Sequence, residues 1–369
     1  QPSAYIVLAE ANLELGKPVS ALAAIEKARM LGIEPAELTY LQGVVMEQRG
    51  EVEVALELYR RARRLDVHHV DYLVAETECL VLLGQPDEAL KLLDEHMHQF
   101  DQDGTIAALS GHVAALLGNQ KDAAGRYRRA MLSVSTSRIL ARELGLLLTR
   151  SQRYEEAREL LESVVGDVRD SSSTVSFRLD PAWNPKPDAT VRRALATCYL
   201  ALNAPEEAKE LLMECVASNP KDALAQVLLA KAALATNDPL TAARAAHQAF
   251  QWMPVEAEVQ LVRAAAQWQY GNLKAAARSL HDLLNLRPDD LEALCLLGEV
   301  HRAAGRTEAA RRVFQEALNV DSTSTWAQQG ILALEDAAGN SPRITPGLEH
   351  VRAATDGARH KTVDRTEEN

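Results

Sequence analysis

The sequence predicts an all-α fold, a solenoid of short helical hairpins stacked side by side. Two ladders of small residues predict it. Alanine recurs at a step of 34 at Ala21, Ala55, Ala89, Ala123 and Ala157, and again at Ala208, Ala242, Ala276 and Ala310. Five positions ahead of each stands a residue suited to a turn: Gly16, Gly50, Gly84 and Gly118, then Gly271, Gly305 and Gly339. Asn203 and Asn237 fill two rungs of this second ladder, and Gln152 is its exception. Apolar residues between the rungs recur at three- and four-residue spacing, the period of a helix with a buried face. A 34-residue helix–turn–helix period marks stacked repeats.

The first hairpin is expected over Ser3–Leu15 and Val19–Leu31, with Gly16 closing one helix and Pro18 opening the next. Four more follow near Ala36–Leu65, Val70–His98, Gly104–Leu132 and Arg138–Val165. The ladder then breaks. Ala157 and Ala208 lie 51 positions apart, one period of 34 and 17 more. The extra residues fall in 166–188, GDVRDSSSTVSFRLDPAWNPKPD, whose serines and three prolines rule out a continuous helix. Thr174–Leu179 alternates as a short extended segment would. Repeats resume over 189–324, and 325–338 reads as a lone first helix that caps the stack with Gln328, Gln329, Glu335 and Asp336. The expected organisation is five repeats over 2–165, an inserted loop over 166–188, four repeats over 189–324, a capping helix and a polar tail over 339–369.

These residues resemble the tetratricopeptide repeat family. A small residue stands eight positions into each first helix: Ala9, Gly43, Thr77, Gly111, Gly145, Ala196, Ala230, Ala264 and Gly298. A large one follows four positions after the alanine rung, as at Ile25, Tyr59, Leu93, Tyr127, Leu161, Leu212, Leu280 and Phe314, while Ala246 is undersized. Pro220, Pro254 and Pro288 end three second helices. The resemblance covers about residues 2–338 and implies a right-handed superhelix of about nine repeats, whose first helices line a groove.

Composition narrows the function. Net charge is −12, from 52 acidic and 40 basic residues, which disfavours binding nucleic acid or an anionic membrane through the whole surface. No signal peptide or run of about 20 apolar residues suggests membrane insertion. A cytoplasmic location is expected, with a periplasmic or membrane-tethered one as the alternative should an upstream segment carry a signal or anchor. Cys79, Cys198, Cys215 and Cys295 form no C-x-x-C and read as small buried side chains, a Cys198–Cys215 bridge being the less favoured reading. His68, His69, His96 and His98 fall in a loop and at a helix end, where solvated histidines outweigh a metal site. No nucleotide-binding, zinc-protease or nucleophile-elbow motif is present, so neither catalysis nor a cofactor is expected.

Function must then lie in shape. In the family, positions 2, 5, 9, 12 and 13 of each unit face the groove. That resemblance places Glu10, Glu37, Tyr40, Glu47, Asp71 and Glu78 at one end, His112, Arg142, Arg150, Arg193 and Lys231 in the middle, and Glu258, Trp268, Glu292, Glu299, Arg302 and Trp326 at the other. The expectation is a non-enzymatic scaffold or adaptor holding a protein or peptide segment. Basic side chains in the middle would meet its acids, and Trp268 and Trp326 would either anchor it or pack between repeats. Phe177 and Trp183 make the inserted loop a second candidate contact. The alternatives are a regulatory or substrate-presenting part of a larger enzyme, secretion or envelope-assembly complex, and self-association through the end repeats. The family's carboxylate clamp is not supported, because Ile6 and Glu10 occupy its first two positions. Its asparagine ladder is also missing, with Val7, Leu41, Ala75, Leu109 and Glu143 on the first rungs.

Overall fold

The computed structural model describes residues 2–32, 36–100, 104–133, 138–166 and 189–337. Among these residues all regular structure is helical, in 19 helices. The chain divides into two compact units, Gln1–Lys186 and Pro187–Asn369. The inserted-loop residues Phe177 and Trp183, the extended segment over Thr174–Leu179 and the tail lie outside the described residues.

The first unit holds five hairpins. They are α1 (Pro2–Glu14) with α2 (Pro18–Met30), α3 (Ala36–Gln48) with α4 (Val52–Leu65), and α5 (Val70–Leu82) with α6 (Pro86–His96). Then come α7 (Gly104–Leu116) with α8 (Gln120–Ser133), and α9 (Arg138–Arg150) with α10 (Tyr154–Gly166). The second unit holds α11 (Ala189–Ala201) with α12 (Pro205–Ser218), and α13 (Ala223–Ala235) with α14 (Pro239–Trp252). It continues with α15 (Ala257–Gln269), α16 (Leu273–Leu286), α17 (Leu291–Ala303), α18 (Thr307–Val320) and the single α19 (Thr325–Ala337). Within each unit a helix packs on its hairpin partner, and each second helix packs on the next first helix. Each unit is thus a one-dimensional stack, an α-solenoid with no central core.

The turns explain the glycine ladder. In every hairpin the residue just after the ladder position donates its N–H to the carbonyl five residues back, as from Arg306 to the carbonyl of His301 (2.9 Å). That bond requires a left-handed residue just before the donor. Gly305 supplies it with φ +71°, and Asn203, Asn237 and Gln152 supply it with φ near +60°. Glutamine lacks asparagine's short local hydrogen bond, so Gln152 carries backbone strain of about 1 kcal/mol. Replacing it with glycine removes the strain but loosens the unfolded chain. The expected net gain for Gln152→Gly is about 0.5 kcal/mol, read as a higher urea midpoint with unchanged slope.

Inside the hairpins, size is matched between the eighth position and the residue 16 further on. A Cβ built on Gly43 would lie 2.6 Å from the Tyr59 ring, one on Gly111 3.0 Å from Tyr127, and one on Gly298 2.5 Å from Phe314. Where the small residue is alanine or threonine the partner is aliphatic, as in Ala9 with Ile25, Thr77 with Leu93 and Ala264 with Leu280. A ring therefore fits only where no Cβ stands opposite it. Gly145 against Leu161 is tight as well, at 2.7 Å. All four cysteines are buried free thiols with no disulfide between them.

Candidate functional site

In the first unit, α1 and α3 flank an open cavity of about 700 Å³. It is lined by Glu10, Leu13, Glu14, Tyr40, Leu41, Val44, Glu47 and Gln48. The helical period sets this lining. Residues at positions 9, 12 and 13 of α1 share one face, and Glu47 and Gln48 repeat the last two on α3. The floor is apolar because Leu13, Leu41 and Val44 are buried, while Glu10 and Glu14 stand exposed at the rim.

Aromatic packing holds Tyr40 in place. Its ring centroid lies 5.5 Å from that of Tyr59 and 5.1 Å from that of Tyr72. The His69 ring stacks on the far end of this row, 4.3 Å from Tyr72. The Tyr59 hydroxyl donates to Glu47 Oε2 at 2.7 Å, which fixes the carboxylate at the cavity wall. Burial, reinforced by Glu47, holds the Tyr59 hydroxyl protonated far above its ordinary range. Burial, with help from Glu37, Asp66 and Tyr40, pushes Tyr72 up to about 12. Both rings thus stay neutral across physiological pH, Tyr59 as a donor to Glu47 and Tyr72 as a packing surface between Tyr40 and His69.

The thirteenth position forms a ladder along this unit: Glu14, Gln48, Leu82, Leu116 and Arg150. Glu14 and Gln48 line the cavity. Leu82 and Leu116 are 58% and 54% exposed, and Arg150 is exposed too. The face therefore runs from acidic through apolar to basic within one unit. Leu82 and Leu116 are aliphatic, so in the sequence they read like any core residue of a helix and not as groove residues. Reading the thirteenth position at its step of 34 would have found them.

The remaining candidates sit differently. Glu78 is buried and His112 half-buried in the first unit. Arg142 pairs with its neighbour Glu143. In the second unit Arg193 donates to Asp222 at 3.0 Å, and Lys231 to Glu258 at 2.7 Å. Asp222 also caps α13 by accepting from the Ala225 N–H, so Arg193 braces a helix start. Glu299 is buried and takes Arg302 at 2.7 Å. Trp268 and Trp326 are each 9% exposed and belong to the hydrophobic cluster of the second unit. Of the basic residues expected to meet a partner's acids, Arg142, Arg193 and Lys231 thus already hold carboxylates of this chain, and both tryptophans are packed in the hydrophobic cluster.

The four candidate histidines do not converge, and His98 is exposed. His68 meets Gln99, His69 stacks on Tyr72, and His96 bridges Arg63 and the Leu92 carbonyl. Among the described residues no cluster of His, Cys, Asp and Glu is arranged to hold a metal. Among them, too, no helix is long and apolar enough to cross a membrane.

The fold and its groove face define a helical-repeat interaction scaffold. Tetratricopeptide repeat models match residues 6–68, 180–232 and 267–334, and the chain belongs to the tetratricopeptide repeat family. Solved structures share its repeats at low identity. A tetratricopeptide repeat protein from Parabacteroides merdae is 13% identical over 81% of this chain and 98% of that one, with a TM-score of 0.42. MamA MSR-1 is 22% identical over 51% of this chain and 98% of that one, at 0.41. The Cut9–Hcn1 hetero-tetramer of the APC/C is 12% identical over 85% of this chain and 59% of that one, at 0.49. No curated protein matches the chain.

Proposed function

We propose that the chain is a non-enzymatic adaptor whose first unit holds an extended segment of a partner protein along its groove face. A lysine or arginine of that segment enters the cavity between α1 and α3. Glu10, Glu14 and Glu47 neutralise it there, and the Tyr40 ring offers a π face. Apolar side chains follow on Leu82 and Leu116, and an acidic one meets Arg150. Packed helices stand about 8–10 Å apart, so each repeat takes about three residues of extended chain. The occupant is then a segment of roughly 12–15 residues, basic at one end, apolar in the middle and acidic at the other.

The observation that carries this reading is the cavity itself, with three carboxylates around an apolar floor. The bases of the second unit that lie at groove positions, Arg193 and Lys231, are engaged by Asp222 and Glu258, which favours the first unit over it. The test is selection from a displayed library of random 16-residue peptides on the intact chain. Enriched peptides should carry Lys or Arg ahead of Leu or Phe. The double variant Glu10→Lys/Glu14→Lys should weaken them by about tenfold or more, and binding should fall as salt rises. Enrichment of acidic peptides, or affinity indifferent to that double variant, would remove the proposal.

A further inference from the structure

Position 7 of a first helix faces the second helix of the hairpin before it, as Glu76 of α5 does with Arg60 and Arg63 of α4. The same position in α15 carries the opposite charge, Arg263. In α14 the residues at the register of Arg60 and Arg63 are His247 and Phe250, so no carboxylate stands there. The half-buried guanidinium stacks on Phe250, its Cζ 3.8 Å from the ring centroid. Its Nε is buried without a hydrogen-bond partner, and among the described residues Arg263 forms no ion pair. Burial pulls its pKa below the usual arginine value, and Asp282 of α16 acts the other way without reversing this. Arginine stays charged at neutral pH all the same, so the fold holds a desolvated cation with no paired counter-charge. Helix α15 packs on both α14 and α16. On those two helices Arg244 and Arg278 recur at a step of 34, as do His247 and His281, and all four are exposed. Helix α14 has no acidic residue, and α16 has Asp282 against Lys274 and Arg278. Asp238, which caps α14 and lies within reach of Arg244's charge, pairs with Lys209 at 3.8 Å. The next rung, Arg312, has Glu308 and Glu316 one turn to either side, so the basic patch ends at α16.

We infer that the face of α14 and α16 around Arg263 docks a phosphorylated side chain of a partner protein. Arg263 forms its floor, and Arg244 and Arg278 flank it from the two second helices. Guanidinium forks match phosphate oxygens two at a time, and a phosphoserine or phosphothreonine carries about twice the charge of a carboxylate. A single glutamate on exposed arginines gains little in water, because each such pair is screened. A phosphate seated between α14 and α16 brings Arg263 the counter-charge that the chain itself does not supply. A nucleic acid or an anionic membrane presents charge over a wide area, which the net charge of −12 repels. One phosphorylated residue meets the basic patch alone. The site lies in the second unit and is independent of what the cavity between α1 and α3 binds.

Binding of the intact chain to an array of short random peptides, each made with a central phosphoserine, serine or glutamate, tests the site. A subset is expected to bind in the phosphoserine version, and at least about tenfold more weakly in the other two. Arg263→Leu should weaken that binding at least about tenfold while circular dichroism stays unchanged. The fold accepts this change, because leucine holds the same position in the repeats on either side, at Leu229 and Leu297. Arg244→Glu/Arg278→Glu should weaken the phosphoserine peptides as well, whereas Glu10→Lys/Glu14→Lys should leave them unaffected. Serine versions that bind as tightly as their phosphoserine counterparts would overturn the inference, and so would affinity indifferent to Arg263→Leu. Phosphatidylserine vesicles that bind the chain and lose it in Arg263→Leu would overturn it too, because the patch would then serve a membrane.

Discussion

Gly298→Leu is expected to destabilise the second unit by on the order of 3 kcal/mol. The Phe314 ring is fully buried, and a Cβ at position 298 would lie 2.5 to 2.7 Å from three of its atoms. The ring cannot retreat, because Gly330 of α19 approaches it from the next repeat, with its own Cβ position 2.5 Å from Cζ. Two backbones thus clamp one ring, and added carbon must shift a helix. The rest of the chain suggests the remedy. Ala264 faces Leu280 and Ala196 faces Leu212, so Gly298→Ala combined with Phe314→Leu rebuilds a pairing already used twice. Gly298→Ala alone should cost about 2 kcal/mol, and the double variant should recover part of it as a favourable coupling. Because solenoid contacts are local, hydrogen exchange should rise first in α17–α19. Additive costs in the double variant would contradict the size-matching rule.

The second large effect is expected at Glu76. This carboxylate is 3% exposed and lies between Arg63, 2.6 Å from Oε2, and Arg60, 3.4 Å from Oε1. Arg63 also reaches His96 at 3.1 Å, and Arg60 reaches Glu57 and Glu88. One side chain thus ties α4 to α5, and through the arginines to α6. Glu76→Ala leaves two half-buried guanidinium groups without their shared partner and opens a gap, at a cost of about 3 kcal/mol. Glu76→Leu should cost clearly less. Leucine is the residue at this repeat position in Leu144, Leu195, Leu229 and Leu297, all buried. Arg60 keeps Glu57 and Glu88 in that variant. Urea denaturation of both variants reads the difference, and equal losses would mean that the ion pair, not the packing, sets the stability.

Much of this was legible in the sequence, and the reasons differ by residue. The turn ladder could be read because a left-handed turn nearly selects glycine or asparagine, and Gln152 stood out as the misfit it is. The alanine ladder and its large partners could be read because close helix contact limits volume at fixed spacing. The state of the charged groove residues could not. Arg193 finds Asp222 29 residues away and Lys231 finds Glu258 27 away, pairs made by the rise from one repeat to the next. Position within a repeat names a face but not the neighbour that covers it. For the same reason Trp268 and Trp326 count as groove residues on a helical wheel yet pack into the core. The cavity lies between those extremes, with Glu10, Tyr40 and Glu47 expected at the groove and Leu13, Glu14 and Gln48 added by the geometry.

The most direct measurement is hydrogen–deuterium exchange of the intact chain, alone and saturated with a selected basic–apolar peptide. Protection concentrated in α1, α3, α5 and α7, with the strongest effect around Tyr40 and Glu47, is the result expected from a partner segment in the groove of the first unit. Protection confined to α11–α19, or a bound peptide that leaves α1 and α3 unchanged, would contradict it.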